Sequence, residues 1–386
     1  TCYAYDIRGR KIAEYGTAVQ PACFGYDEAD RMISLTTFRI ADEEITTDPS
    51  ERTDGDTTRW TYEEATGRQL KKTYADGSEV IDTYDAMNRL STRTLARGIA
   101  TSYSYDPLTG ETTQVHYSDE TPDFTYEFNH LGQIVAITTQ GEEHPYSLTY
   151  NDYGVMAAEG YWMGWQESHV KRTFDAFGRP SSSGIELQNE TPIEWEQIYD
   201  ECGRISSFRL LANETRGFEE KTFQFSYLPG SSLVSRIDWS NGLCLEYTYQ
   251  SWRDILTGIR CGTSDKTYTI AEKTRELDPL GRPEKGLRTR LGETHDDYFS
   301  YNLRNELTGA MFGGGPVFEY AYDNIGNREQ FQVRATQTDY ESNELNQYSL
   351  ITPSYAPAFT PTFDADGNQT RIRTTSGILN VIYNAN

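Results

Sequence analysis

The sequence is short of cysteine, of long apolar runs and of positive charge, and each shortage removes a class of protein. Its five cysteines, Cys2, Cys23, Cys202, Cys244 and Cys261, are odd in number and include no Cys-x-x-Cys, so neither a disulfide framework nor a structural zinc site is expected. Cys202 and Cys244 read as small buried apolar residues. No run approaches the roughly 18 apolar residues of a membrane-crossing helix, and helix-forming apolar stripes are scarce. Lysine and arginine total 35 against 59 acidic residues, a formal net charge of −24. Such a chain is not expected to bind nucleic acid, whose phosphates demand concentrated cations, nor to enter or coat an anionic membrane. The charge favours solubility or a cationic partner. No signal peptide is visible, the chain opens Thr1-Cys2, and both ends cut into repeats, so a fragment of a longer protein is expected.

What the chain has in excess is one motif. Tyr5-Asp6-Ile7-Arg8-Gly9-Arg10 returns as Tyr84-Asp85-Ala86-Met87-Asn88-Arg89, Phe174-Asp175-Ala176-Phe177-Gly178-Arg179, Tyr199-Asp200-Glu201-Cys202-Gly203-Arg204 and Tyr322-Asp323-Asn324-Ile325-Gly326-Asn327-Arg328. With looser copies the anchors number sixteen, and eleven of their fifteen spacings lie between 20 and 25 residues. A fixed period decides architecture before any residue suggests chemistry. The 41-residue gap is expected to hide a degenerate copy at Tyr340-Glu341-Ser342-Asn343-Glu344-Leu345, and the 36-residue gap holds an acidic insertion, residues 41–59.

The unit reads as a β-hairpin. Apolar and polar residues alternate before each anchor, as in Leu243-Cys244-Leu245-Glu246-Tyr247-Thr248-Tyr249, the half-buried strand signature. The anchor Asp can bond backbone two residues on, and Gly or Asn tolerates positive φ, which explains why Gly9, Gly178, Gly203 and Gly326 share a slot with Asn88, Asn305 and Asp30. Asp76-Gly77 and Asn241-Gly242 predict two-residue loops at the opposite hairpin ends. The fold class is all-β, a coiled array of antiparallel hairpins, expected as a single domain over residues 1–386 stabilised by neighbour contacts.

These motifs resemble the YD-repeat, or RHS-repeat, family over essentially the whole chain. Asn343-Glu344-Leu345-Asn346-Gln347-Tyr348 followed by Phe363-Asp364-Ala365-Asp366-Gly367-Asn368 looks like the later part of a bacterial RHS core. The resemblance implies hairpins coiled into a hollow shell or open barrel. It also implies export, to the cell surface or into a target cell, and a partner that is the remainder of the same polypeptide, such as a C-terminal toxin. Related shells are the cocoon of insecticidal toxin complexes and the barrel of teneurins. Members of the family carry a self-cleaving segment around Asp-Pro-x-Gly-Leu. Here Leu277-Asp278-Pro279-Leu280-Gly281-Arg282 has Arg in place of that Leu and sits at an anchor, so it reads as an ordinary turn and no cleavage role is carried over.

No catalytic, metal or cofactor residue is assigned. The anchor Asp residues recur once per unit, as turn-formers do. Glu142-Glu143, Glu219-Glu220 and Asp296-Asp297 are neighbours on a strand and face opposite ways, so they make no glycosidase pair. None of the five histidines falls in a ligand spacing, and His295-Asp296-Asp297 reads as a polar loop. Gly313-Gly314-Gly315-Pro316 lacks the Lys-Ser/Thr of a phosphate loop and reads as a hairpin tip. Tyr161, Trp162 and Trp165 break the style of the repeat. They read either as a stacking platform for a glycan or receptor, or as a core-filling hairpin or lumen plug. The shell-segment reading, non-catalytic in itself, leads; a carbohydrate- or receptor-binding module and a glycoside hydrolase are its alternatives. Functional residues are expected where the rhythm breaks: residues 41–59, 161–165 and 313–316.

Overall fold

A computed structural model describes residues 1–39, 45–164, 166–188 and 190–385. Trp165 and part of the acidic insertion, residues 41–44, lie outside them. The protein is all-β. Among the described residues thirty strands, hydrogen-bonded to their neighbours in sequence, make one antiparallel sheet, and Thr362–Phe363, Gln369–Thr374 and Gly377–Asn380 make a second. The chain divides into two compact units. One is Thr1–Ser104 with Val115–Pro122 and Tyr298–Asn386; the other is Tyr105–Gln114 with Asp123–Asp297.

Each anchor marks the same local event. In the first repeat Asp6 N donates to Arg10 O (3.0 Å) and Gly9 N to Asp6 O (3.0 Å), while the pairing slips by one residue between Ala4 and Tyr5. This is a turn closed by a left-handed residue that forms a bulge. Gly9, Gly178 and Gly326 take that slot at φ +79°, +76° and +93°, and Asp30, Asn88 and Asn305 occupy it at +64°, +67° and +67°. The Asp carboxylate then accepts the amides two and four residues on: Asp85 Oδ1 takes Met87 N and Arg89 N, both at 2.9 Å.

Two expectations shift in detail. Asp76-Gly77 does end a turn, but in the same longer form: Tyr74 N bonds Ser78 O at 2.8 Å and Gly77 N bonds Tyr74 O at 3.0 Å, leaving residues 75–77 in the loop. The degenerate copy sits two residues later than Tyr340. Ser342 takes the Tyr slot, at the bulge, and Asn343 the Asp slot, its Oδ1 accepting Leu345 N and Gln347 N at 3.0 Å each. An Asn oxygen closes the turn as a carboxylate does, so the anchor ring can be lost while the turn survives.

Very little of the protein is fully buried. Among the described residues the buried apolar side chains are Ala13, Ala22, Phe38, Ile45, Cys244, Ala310 and Phe359. Strands such as Val317–Tyr322 instead alternate exposed with half-buried residues, as a sheet with one solvated face does. The deepest packing lies around the insertion. Phe38, Ile45 and Pro49 are buried there, Gly16 N bonds Ile45 O at 2.9 Å, and a Cβ on Gly55 would stand 2.8 Å from the Phe38 ring. From Ile45 on, the insertion thus carries buried apolar residues and rejoins the sheet at Asp56–Tyr62.

Candidate functional site

The motif residues join one repeat to the next. Asp200 and Arg204 form an ion pair at 2.7 Å, and Arg204 also donates to Ser231 O in the following turn. Its guanidinium lies 4.3 Å from the centre of the Tyr227 ring. Tyr227 in turn donates its hydroxyl back to Ile205 O, just beyond the first turn, at 2.6 Å. The step recurs. Arg10 pairs with Asp6 at 2.6 Å and bonds Asp27 O at 2.8 Å under the Tyr26 ring. Arg179 pairs with Asp175 at 2.6 Å under Tyr199. Tyr84, Tyr249 and Tyr322 donate to Gln69 O, Val234 O and Leu307 O. Arg89 pairs with Asp85 at 2.7 Å, and Asn327 replaces arginine beside Asp323, bonding it at 2.8 Å. Arg328, one residue later, lies instead 5.0 Å from the Tyr320 ring. Asp278 pairs with Arg282 at 2.6 Å, so Asp278-Pro279-Leu280-Gly281 is a turn like the others.

Ion pairing, amide donation and cation–π contact thus converge on one arginine. The carboxylates respond. Asp27, Asp85 and Asp200 are held below the ordinary carboxylate range, first by the amides of Arg31, Arg89 and Arg204 and, against some desolvation, by their guanidinium groups.

Several steps lack both partners, and at two of them a cleft opens. After the turn at Tyr150, Asn151 stands in the Asp slot and Val155 in the Arg slot, and Phe174 replaces the next tyrosine. A cleft of about 500 Å³ follows, lined by Asn151, Tyr153, Val155, Arg172, Phe174 and Phe177 among others. After the turn at Tyr105, Glu111 takes the Arg slot and Phe128 the next anchor, and the opening there is about 260 Å³. The fourth motif position points to solvent throughout this unit, leaving Leu108, Leu131, Tyr153, Phe177 and Leu280 exposed. Both substitutions are visible in the sequence.

The aromatic segment behaves differently from a simple platform. Trp162 is 38% exposed, but the His144 ring covers one of its faces, with centroids 3.7 Å apart and planes 14° from parallel. Tyr161 is half-buried in strand Met156–Met163. Two residues before it, Glu159 accepts from Tyr146 and pairs with Arg172. The Glu159 hydrogen bond pushes the Tyr146 phenol up to about 12, while Tyr146 and then Arg172 lower Glu159. Both groups move away from neutrality, the opposite of what a general acid or base requires.

Of the adjacent carboxylates, Asp296 and Asp297 are engaged by neighbouring cations. Asp297 is buried and bonded by Arg288 at 2.8 Å, and Asp296 lies 3.5 Å from Lys285. Among the described residues no group of His, Cys, Asp and Glu is arranged to hold a metal ion. The cysteines are unpaired thiols; Cys244 is buried, whereas Cys202, in the fourth motif position, is exposed.

In the unit that contains both termini, late turns lie against early connections. Arg39 donates to Ser342 O at 2.7 Å. Arg97 donates to Tyr383 O at 2.7 Å and Asn384 O at 2.9 Å, and its amide bonds Asp366 at 3.0 Å. Ala385 N bonds Thr121 Oγ1 at 2.8 Å. Asp56 joins this region through Arg39 at 3.2 Å. Burial raises its carboxyl against the pull of Arg39, and Glu344 and Asp323 add repulsion.

No family model matches the chain. Among solved structures it superposes on a TcdB2-TccC3-Cdc42 crystal structure with a TM-score of 0.66 and 17% identity, over 99% of this chain and 25% of that one. A TcdB2-TccC3 crystal structure gives 0.66 and 15% over 100% and 25%. A Tc holotoxin pore of Photorhabdus luminescens gives 0.65 and 16% over 99% and 24%. The chain spans about a quarter of the length of these proteins. At such identity the likeness is one of fold, and the fold is RHS-like.

Proposed function

We propose that this chain is a wall segment of an RHS-type shell, non-catalytic in itself, that encloses or presents another part of its own polypeptide. The observation that carries the reading is the arginine–tyrosine step, repeated along a sheet with almost no fully buried core. Side chains that join each hairpin to the next, rather than to a second layer, suit a wall. The fold likeness over the whole chain supports it. On this reading the protein is exported, its partner is an enclosed C-terminal segment, and the repeat array serves as one structural domain. Mechanism here is sequestration: a guest is kept from solvent and from proteases.

The test uses the longer polypeptide. Its coding sequence on either side should hold more of the same repeats and then an unrelated segment. In limited proteolysis that segment should survive while the array is intact and be cut once the array is unfolded. Cleavage of the segment at equal rates in both states would overturn the reading, as would a reading frame that begins and ends with this chain.

A second reading rests on the open face of Trp162, which could stack a sugar ring or a receptor side chain. Binding on a glycan array that disappears in Trp162→Ala would favour it, and unchanged binding would remove it.

A further inference from the structure

We propose that the cleft between the turns at Tyr150 and Phe174 is a peptide-binding site. It would take a segment that inserts an aromatic or large aliphatic side chain and carries a basic residue beside it. The cleft lies at a step that departs from the repeat. Where the repeat places Asp, Arg and then Tyr, this step has Asn151, Val155 and Phe174. Val155 has no guanidinium to bridge to the next turn, and Phe174 has no hydroxyl to reach back to Met156. An opening of about 500 Å³ lies at this step, within the range of ligand sites.

The lining selects the guest. Tyr153 and Phe177 stand at its sides, 91% and 83% exposed, and Val155, Ala157 and Phe174 complete an apolar surface. The polar atoms nearby are largely spent on their own turns. Asn151 Oδ1 accepts Tyr153 N and Val155 N, and Asp175 accepts Phe177 N and holds Arg179. A sugar, which needs several free donors and acceptors, is poorly served. An apolar side chain packed against these rings is well served.

One exposed group sets the neighbour of that side chain. Asp152 is an exposed carboxylate in the lining of the cleft, in a chain of net charge −24, which favours a cationic residue. Arg172, also in the lining, is held by Glu159 through Nη2 and is not free to repel a cationic guest.

The experiment is a titration of the whole chain with acetyl-Lys-Phe-Lys-amide, acetyl-Lys-Ala-Lys-amide and acetyl-Glu-Phe-Glu-amide, read by ligand-observed NMR. The first should bind at least tenfold more tightly than the other two. The triple variant Asn151→Asp, Val155→Arg, Phe174→Tyr restores the repeat and should close the cleft. It is expected to lose at least tenfold in affinity with no fall in melting temperature. Should that variant misfold, Tyr153→Ala with Phe177→Ala, both on exposed rings, gives the same readout. Equal affinity for the Phe and Ala peptides would overturn the proposal. So would a preference for the acidic peptide, undiminished binding by either variant, or binding of N-acetylglucosamine in place of the peptide.

Discussion

Arg204 meets a carboxylate, a carbonyl and a ring at once, and Tyr227 closes the loop by donating to Ile205 O. The hydroxyl is the separable part of this arrangement, since Phe128, Phe174 and Phe363 occupy the same slot without one. Tyr227→Phe should therefore cost about 1 kcal/mol, the net worth of one hydrogen bond, measured by chemical denaturation. Arg204→Ala in the same background should add less than it does alone, because both residues hold one step. Equal, additive losses would mean that the two act separately. Single residues also limited what the sequence could disclose. The left-handed slot was legible because Gly, Asn and Asp share it. The stacking of His144 on Trp162 was not, because it depends on how hairpins 18 residues apart in sequence are placed.

At the scale of the element, the turn and the insertion make opposite demands. A Cβ on Gly178 would meet nothing within 4 Å, so its constraint is the backbone φ of +76°. Gly178→Asn should stay within about 0.5 kcal/mol of the parent, as Asn88 already sits at φ +67°, while Gly178→Val should lose about 1–3 kcal/mol through strain. Thermal denaturation of the pair checks this, and equal stabilities would show that the slot does not require positive φ. In the insertion the demand is packing. Phe38 is 1% exposed, and Phe38→Ala should cost about 3–5 kcal/mol, with hydrogen exchange rising in the connection between Thr37 and Asp56. The repeat, the anchor turns and the all-β class were readable from period, alternation and turn residues together, while the loop at Asp76-Gly77 proved one residue longer than its dipeptide suggested. The apolar role of the insertion was masked by its acidic composition, and the turn at Ser342-Asn343 by a ring two residues too early. The clefts were hidden for another reason: each lies at a step with two substitutions a repeat apart, neither unusual alone, and other steps carry the same pair of losses.

At the scale of the molecule, many similar turns titrate together, and two opposing effects set the response to acid. A net charge of −24 repels itself, and protonation toward the sequence pI of about 4.6 relieves that repulsion. Asp56, raised by burial, also favours the folded state once protonated. The turn carboxylates act in the other direction. Asp27, Asp85 and Asp200 are lowered, first by the amides of their arginines, and Asp265 is lowered to about 2, first by Thr263 and then by Thr267. A lowered carboxyl contributes stability that is fully present above its unfolded value, about 3.9 for Asp. That stability is lost as pH falls through the folded value. The melting temperature should therefore hold or rise between pH 7 and about 5, then fall steeply below about 4. Asp200→Asn, which keeps an acceptor for both turn amides but cannot titrate, should melt lower at pH 7 and show a shallower acid limb. A melting temperature that declines steadily from pH 7, or an acid limb unchanged in Asp200→Asn, would show that the turns do not govern the acid response.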